Sequence, residues 1–168
     1  MTALGTFSRG FEKVLELVTM LLMIALAVTV VVGVSFRWAD NALEWYDEVA
    51  STLLAWLTYY GASLGALKRA HIGVPGVVAA MPPKYRFPCM LLAEACVLAF
   101  FAGLAWFGVM VMNVLEGETL VTLEYVSLSF TQSVIPIGAV LYIIAELLNL
   151  PQIWREAIGR DEVLVTHQ

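Results

Sequence analysis

Residues 43–73 read LEWYDEVASTLLAWLTYYGASLGALKRAHIG, and this stretch decides the fold. With Asp40 just ahead of it, the segment opens on Glu44, Asp47 and Glu48. It then runs from Val49 to Leu67 without a charge and closes on Lys68, Arg69 and His71. An apolar run of about 20 residues matches the thickness of a bilayer core. Acid at one end and base at the other give that run a direction across the membrane.

The rest of the chain agrees with this choice of solvent. Apolar residues make up 61% of the 168 residues and charged residues 14%, against roughly 45–50% and 25% in soluble domains. A globule of this length cannot hide so much apolar surface, and there is no room for a separate soluble module. The composition therefore predicts one all-α integral membrane domain over 1–168, with a loosely ordered tail at 160–168. A net charge of −5 argues against a nucleic-acid partner. Cys89 and Cys96 lie two helical turns apart on one expected span, about 10 Å along its axis, beyond disulfide reach. They read as reduced packing residues.

Four spans are predicted, at about 14–36, 49–67, 87–113 and 126–150. The third is long enough to tilt. The first exceeds a signal-peptide core and lacks a small-residue cleavage site, so it reads as a retained anchor. All nine Lys and Arg except Arg37 fall on one side of these spans. The positive-inside tendency then puts both termini and the 68–86 loop in the cytoplasm of a bacterial inner membrane. Trp38, Trp45 and Tyr46, with Tyr125 near them, fall at the outer boundary, and Tyr85 and Trp154 at the inner one. The segment 74–83, VPGVVAAMPP, is too short to span and reads as an interfacial turn on the inner leaflet.

Three carboxylates lie within or at the edge of spans: Glu16, Glu94 and Glu146. Intramembrane acids default to a functional role such as a proton relay. All three fall in the inner half of the bilayer, where Lys13, Lys68, Arg69 and Arg155 are candidate partners, so interhelical ion pairs are the competing role. The outer acids Asp40, Glu44, Asp47, Glu116 and Glu118 form a candidate docking rim, or else a solvated helix start favoured by the macrodipole. No HExxH, GxSxG or phosphate loop occurs, and His71 and His167 are not placed to ligate a haem together. The chain is expected to be no enzyme and to hold no catalytic, cofactor or metal site of its own.

Packing signals are clearer. Gly61 and Gly65 form a GxxxG in the second span, a spacing that lets another helix approach closely. Pro136, within IPIG, should kink the fourth span or free a carbonyl.

Taken in order, WYDE, then Trp56 and Gly61–Ala62 on an uncharged helix, then Lys68–Arg69–x–His71–Ile72, then the later IPIG, resemble the small membrane subunit (DctQ-type) of TRAP, or tripartite ATP-independent periplasmic, transporters. One departure is visible: the family often carries an acid shortly after the His–Ile pair, where this chain has Pro75–Gly76. The resemblance implies a non-catalytic subunit of a sodium-coupled, binding-protein-dependent secondary transporter for organic acids. It would pack against the scaffold of a large transport subunit, which carries the sodium ions and the substrate, and help dock a periplasmic binding protein. On that resemblance Glu48, Trp56, Gly61, Gly65, Arg69, His71 and Pro136 are motif residues for folding and assembly. Lipid is the remaining partner, with room for a bound phospholipid. The competing class is a stand-alone four-helix proton-coupled exporter using an intramembrane Glu.

Overall fold

The computed structural model describes residues 3–69 and 83–157, with side chains described over 7–69 and 88–150. The expected interfacial segment at 74–83 (but for Pro83), the tail at 160–168 and His71 lie outside the described residues, as do the side chains of Tyr85, Trp154 and Arg155. The described chain is helical: α1 Ala3–Trp38, α2 Tyr46–Leu67, α3 Pro83–Val114, a short α4 Leu128–Gln132, and α5 Val134–Ala157.

Helix α1 has 36 residues, about 54 Å of helix, so it reaches well beyond a ~30 Å apolar core. It ends in a Schellman turn, with Asp40 at φ 53° where glycine is usual. The Asn41 N–H reaches the Phe36 carbonyl at 3.1 Å and the Asp40 N–H reaches Arg37 at 3.3 Å. Helix α2 begins at Tyr46, ahead of the expected 49, and so takes Asp47 and Glu48 into its first turn. Negative charge is favoured there.

Among the described residues, three stretches are long and apolar enough to cross a bilayer: Phe7–Trp38, Pro88–Val114 and Leu128–Leu150, with mean hydropathies of 2.8, 2.2 and 1.9. The expected second span has the length, at 22 residues, but its hydroxyls and tyrosines dilute its apolarity. Those hydroxyls are satisfied within the helix. Ser51, Thr52, Thr58 and Ser63 donate to the carbonyls of Asp47, Glu48, Leu54 and Tyr59 at 2.7–2.9 Å, so no donor is stranded in an apolar medium.

The expected fourth span is interrupted at Ser133, between α4 and α5. Pro136 supplies no N–H to the carbonyl of Gln132, and its ring crowds that carbonyl. The break therefore falls ahead of the proline, and Pro136 occupies the first turn of α5 instead of kinking a continuous helix. The Ile137 N–H resumes the ladder on Ser133 at 3.2 Å.

The principal helix contacts are α1 with α2, α2 with α5, and α5 with α3. The spatial order is thus α1–α2–α5–α3, with α2 and α5 central and α1 and α3 at the edges. Close crossings sit where side chains are small. A Cβ on Gly138 of α5 would lie 2.6 Å from Tyr59 Cβ of α2, and one on Gly108 of α3 would lie 2.9 Å from Pro136 Cδ. Gly33 of α1 likewise accommodates the Tyr46 ring. Farther along, Phe101 of α3 stacks on Tyr142 of α5 with ring centres 3.7 Å apart.

Leu15, Ala66, Leu67 and Ala145 form the buried core near one end, with Phe11, Tyr60, Leu64 and Leu148 around them. Outward, Val31, Leu92, Phe100, Trp106 and Phe107 stand exposed, as expected where the solvent is lipid. Cys89 and Cys96 are free and exposed on α3. This corrects their reading as packing residues: α3 is an edge helix with one long neighbour, so most of its surface faces outward.

Candidate functional site

The polar residues gather at the two ends of the molecule. At one end the α1–α2 turn meets the loop between α3 and α4. That loop folds back through one antiparallel bridge, Thr119 to Ser127, after Gly117 turns it at φ 92°. Glu48, in the first turn of α2, holds the loop down. Its carboxylate accepts the Val121 N–H at 3.1 Å, the Thr122 N–H at 2.9 Å and the Thr122 hydroxyl. The Thr122 hydroxyl, and then its N–H, hold the Glu48 carboxyl below the usual carboxylate range.

Beside this contact lies an open cleft of about 340 Å³. Asp47, Glu48, Ser51, Thr52 and Ala55 of α2 form one wall, and Leu120, Leu128, Thr131 and Gln132 face them. The candidate rim residues Asp40, Glu44, Asp47, Glu116 and Glu118 are all exposed, and the Glu48 contact brings both loops that bear them to this end. The lone cation among them, Arg37, lies 5.9 Å from the centre of the Tyr46 ring.

Between the ends, Trp56 of α2 donates from Nε1 to the Thr131 carbonyl at 3.0 Å and packs on Phe130 with ring centres 5.5 Å apart. Ser63 hydroxyl lies 3.3 Å from the Gly138 carbonyl. Gly61 has nothing within 4 Å of an added Cβ, so the tight α2–α5 seam runs through Ser63 and Gly138 instead, and the Gly61 surface is open.

At the other end, Lys68 bridges to Glu16 and to Glu12, the latter at 3.5 Å. The Glu16 contact raises the Lys68 ammonium above its ordinary range. Glu12 was not singled out from the sequence, although its i, i+4 spacing to Glu16 puts both on one helix face. Arg69, at φ 52°, interacts electrostatically with Glu146. Glu94 of α3 is set against Glu146 and near Tyr142, and its Oε1 is buried without a hydrogen-bond partner. Asn149 of α5 donates to the carbonyls of Ala66 and Leu67 at 2.8 and 3.2 Å. The Leu67 carbonyl is one that the end of α2 leaves open, whereas the Ala66 carbonyl also accepts the Arg69 N–H at 3.0 Å.

These clusters join helices to one another. Among the described residues no group of three His, Cys, Asp or Glu is placed to hold a metal ion. The class defined is a polytopic helical membrane component whose polar groups clamp the bundle at its two ends. The chain matches, over residues 26–156, the family described as the DctQ component of tripartite ATP-independent periplasmic transporters, and it belongs to that family. It is also 33% identical over 96 residues to the C4-dicarboxylate TRAP transporter small permease protein DctQ of Vibrio cholerae serotype O1. That match covers 57% of this chain but only 40% of the relative's length. Members of the family are transporter components, not enzymes, and the apolar helices fit a place in the bacterial inner membrane.

Proposed function

We propose that this chain is the small, non-catalytic subunit of a sodium-coupled, binding-protein-dependent secondary transporter for organic acids. It packs against the scaffold of a large multi-spanning transport subunit and helps to dock a soluble periplasmic binding protein. Both termini lie in the cytoplasm. The observation that carries this reading is the family match across most of the helical row. The edge helices α1 and α3, with large apolar side chains such as Val31, Leu92 and Phe100 exposed, supply area for a membrane partner. The open Gly61 surface of α2 supplies a place where a helix can approach closely. Sodium and substrate belong to the large subunit, and bound phospholipid fits the apolar edges. The relative's name supports a C4-dicarboxylate as one example of the substrate class.

Co-expression with a large membrane subunit tests the assembly. Stoichiometric co-purification in mild detergent is the expected result. A chain that purifies alone and moves a substrate by itself in proteoliposomes would point to the stand-alone exporter instead. Orientation is read separately: an alkaline phosphatase fusion after Glu118 should be active and one after Gln168 inactive, and the reverse pattern would overturn the topology.

A further inference from the structure

The cleft beside Glu48 has a chemical bias. The single hydrogens of Ser51, Thr52 and Thr131 are already spent on the carbonyls of Asp47, Glu48 and Leu128, at 2.7, 2.9 and 2.8 Å. Each hydroxyl therefore turns only lone pairs toward a guest. Glu48 is occupied by the loop, whereas the Asp47 carboxylate has no hydrogen-bond or ion-pair partner among the described residues. Of the side chains facing the cleft, Gln132 alone retains free N–H donors. The lining is thus rich in acceptors, poor in donors and negative, with Ala55, Leu120 and Leu128 as apolar wall.

A carboxylate or phosphate guest would find few donors and two acids. A transition-metal ion would lack ligands, since no group of three His, Cys, Asp or Glu is placed to hold one among the described residues. An aliphatic stem ending in several N–H donors suits both parts of the lining. At about 340 Å³ the cleft is at the small end of ligand cavities, the scale of a side chain and not of a folded segment.

We propose that this cleft receives an arginine or lysine side chain presented by the soluble protein that docks on this end of the subunit, with Asp47 as its counter-charge. The proposal rests on the docking role given above. Glu48 serves it indirectly, by fixing the loop that carries the Leu120 wall.

The test uses the full transporter complex in nanodiscs and, as probe, the exported binding protein of the same transporter, with affinity measured at low salt. Asp47→Asn should weaken binding about tenfold, and Asp47→Lys further, as for one lost interfacial charge pair. Ala55→Trp, which fills the cleft without changing charge, should weaken it comparably. Glu124→Gln removes the same charge elsewhere and should stay within twofold. An Asp47→Lys complex should regain affinity when one surface lysine or arginine of the probe is changed to glutamate. The Asp47 carboxylate is exposed and has no partner among the described residues, so Asp47→Asn should lower the thermal midpoint only slightly, through the charge lost from the first turn of α2. If the parent complex binds the probe and both Asp47→Asn and Ala55→Trp bind equally well, the cleft proposal fails and docking stands. If the parent complex does not bind the probe at all, the docking reading fails and the cleft guest with it.

Discussion

Trp56 and Thr131 are joined across the helix row by a single hydrogen bond, Nε1 to carbonyl oxygen, at 3.0 Å. The acceptor lies one residue before the end of α4, where the ladder is interrupted ahead of Pro136. The indole thus serves a buried backbone carbonyl at a helix break, where the proline leaves the ladder without a donor. Trp56→Phe keeps the ring against Phe130 and removes only the donor. It should destabilise the protein by about 1–3 kcal/mol, the cost of an unsatisfied buried acceptor, measured as a lower unfolding midpoint in detergent. Trp56→Ala should cost more, because the aromatic packing goes too.

Asn149 should behave similarly at the far end. Asn149→Leu fills the same space but leaves the Leu67 carbonyl without its donor and the Ala66 carbonyl with the Arg69 N–H alone, and a loss of about 1–3 kcal/mol is expected. Asn149→Asp retains acceptors but no donor, and should be no better than leucine. A midpoint unchanged in both variants would show that these carbonyls find other partners.

The seam between α2 and α5 gives a pair of opposite glycine outcomes. Gly138→Val forces a side chain to within 2.6 Å of Tyr59 Cβ and should cost about 1–3 kcal/mol by overpacking. A Cβ on Gly61 meets nothing within 4 Å, so Gly61→Ala should leave the isolated chain at least as stable as before. If the Gly61 face is where the large subunit packs, the same variant should lower the yield of co-purified partner.

The Glu48 contact predicts a pH dependence with a defined sign. Its carboxyl is held below the ordinary range in the folded protein, so the folded state favours the ionised form. The stabilisation is complete above the unfolded carboxylate value of about 4.3 and is lost as pH falls through the lower folded value. Hydrogen exchange at the Val121 and Thr122 amides, corrected for its intrinsic rate, should stay slow from neutral pH to about pH 5. In Glu48→Gln those two amides should exchange faster than in the parent from neutral pH to about pH 5, and the difference should vanish once Glu48 is protonated. Lys68 has the opposite sign: its raised value gives a contribution that is complete below about pH 10.4 and is lost as pH climbs through the folded value.

Docking itself should depend on salt. The exposed acids at the Glu48 end act mainly on encounter, and screening reaches about 3 Å at 1 M salt. Raising ionic strength should therefore slow association of the binding protein more than it speeds dissociation. Equal on-rates at low and high salt would remove the electrostatic part of the docking reading.

Local pattern carried the spans and missed the joints. Long runs free of charge are visible by inspection, and the ends of α1 and α3 differ from expectation mainly because helices continue past the apolar core into the boundary. The break at Ser133 was half legible: Pro136 announces a lost N–H, but whether it bends a helix or starts one depends on what Trp56 supplies from another helix. Glu48 stood out as part of WYDE, yet its partners lie 73 and 74 residues away, in a loop with no distinguishing composition. Asn149 looked like an ordinary polar residue at the end of a span. Lys68 among nearby acids could be read from the sequence, but the choice of Glu16 and Glu12, and of Glu146 as the company of Glu94, follows from how the helices are ordered across the row.

That order has a mechanical consequence. The described chain is two helical hairpins, α1 with α2 and α3 with α4–α5, and they meet mainly along α2. Glu48 pegs one end of α2 to the second hairpin through the loop, and Asn149 pegs the other end. A beam fastened at both ends cannot slide lengthwise past its neighbour without tearing out one fastening. The two fastenings therefore oppose axial sliding of one hairpin past the other.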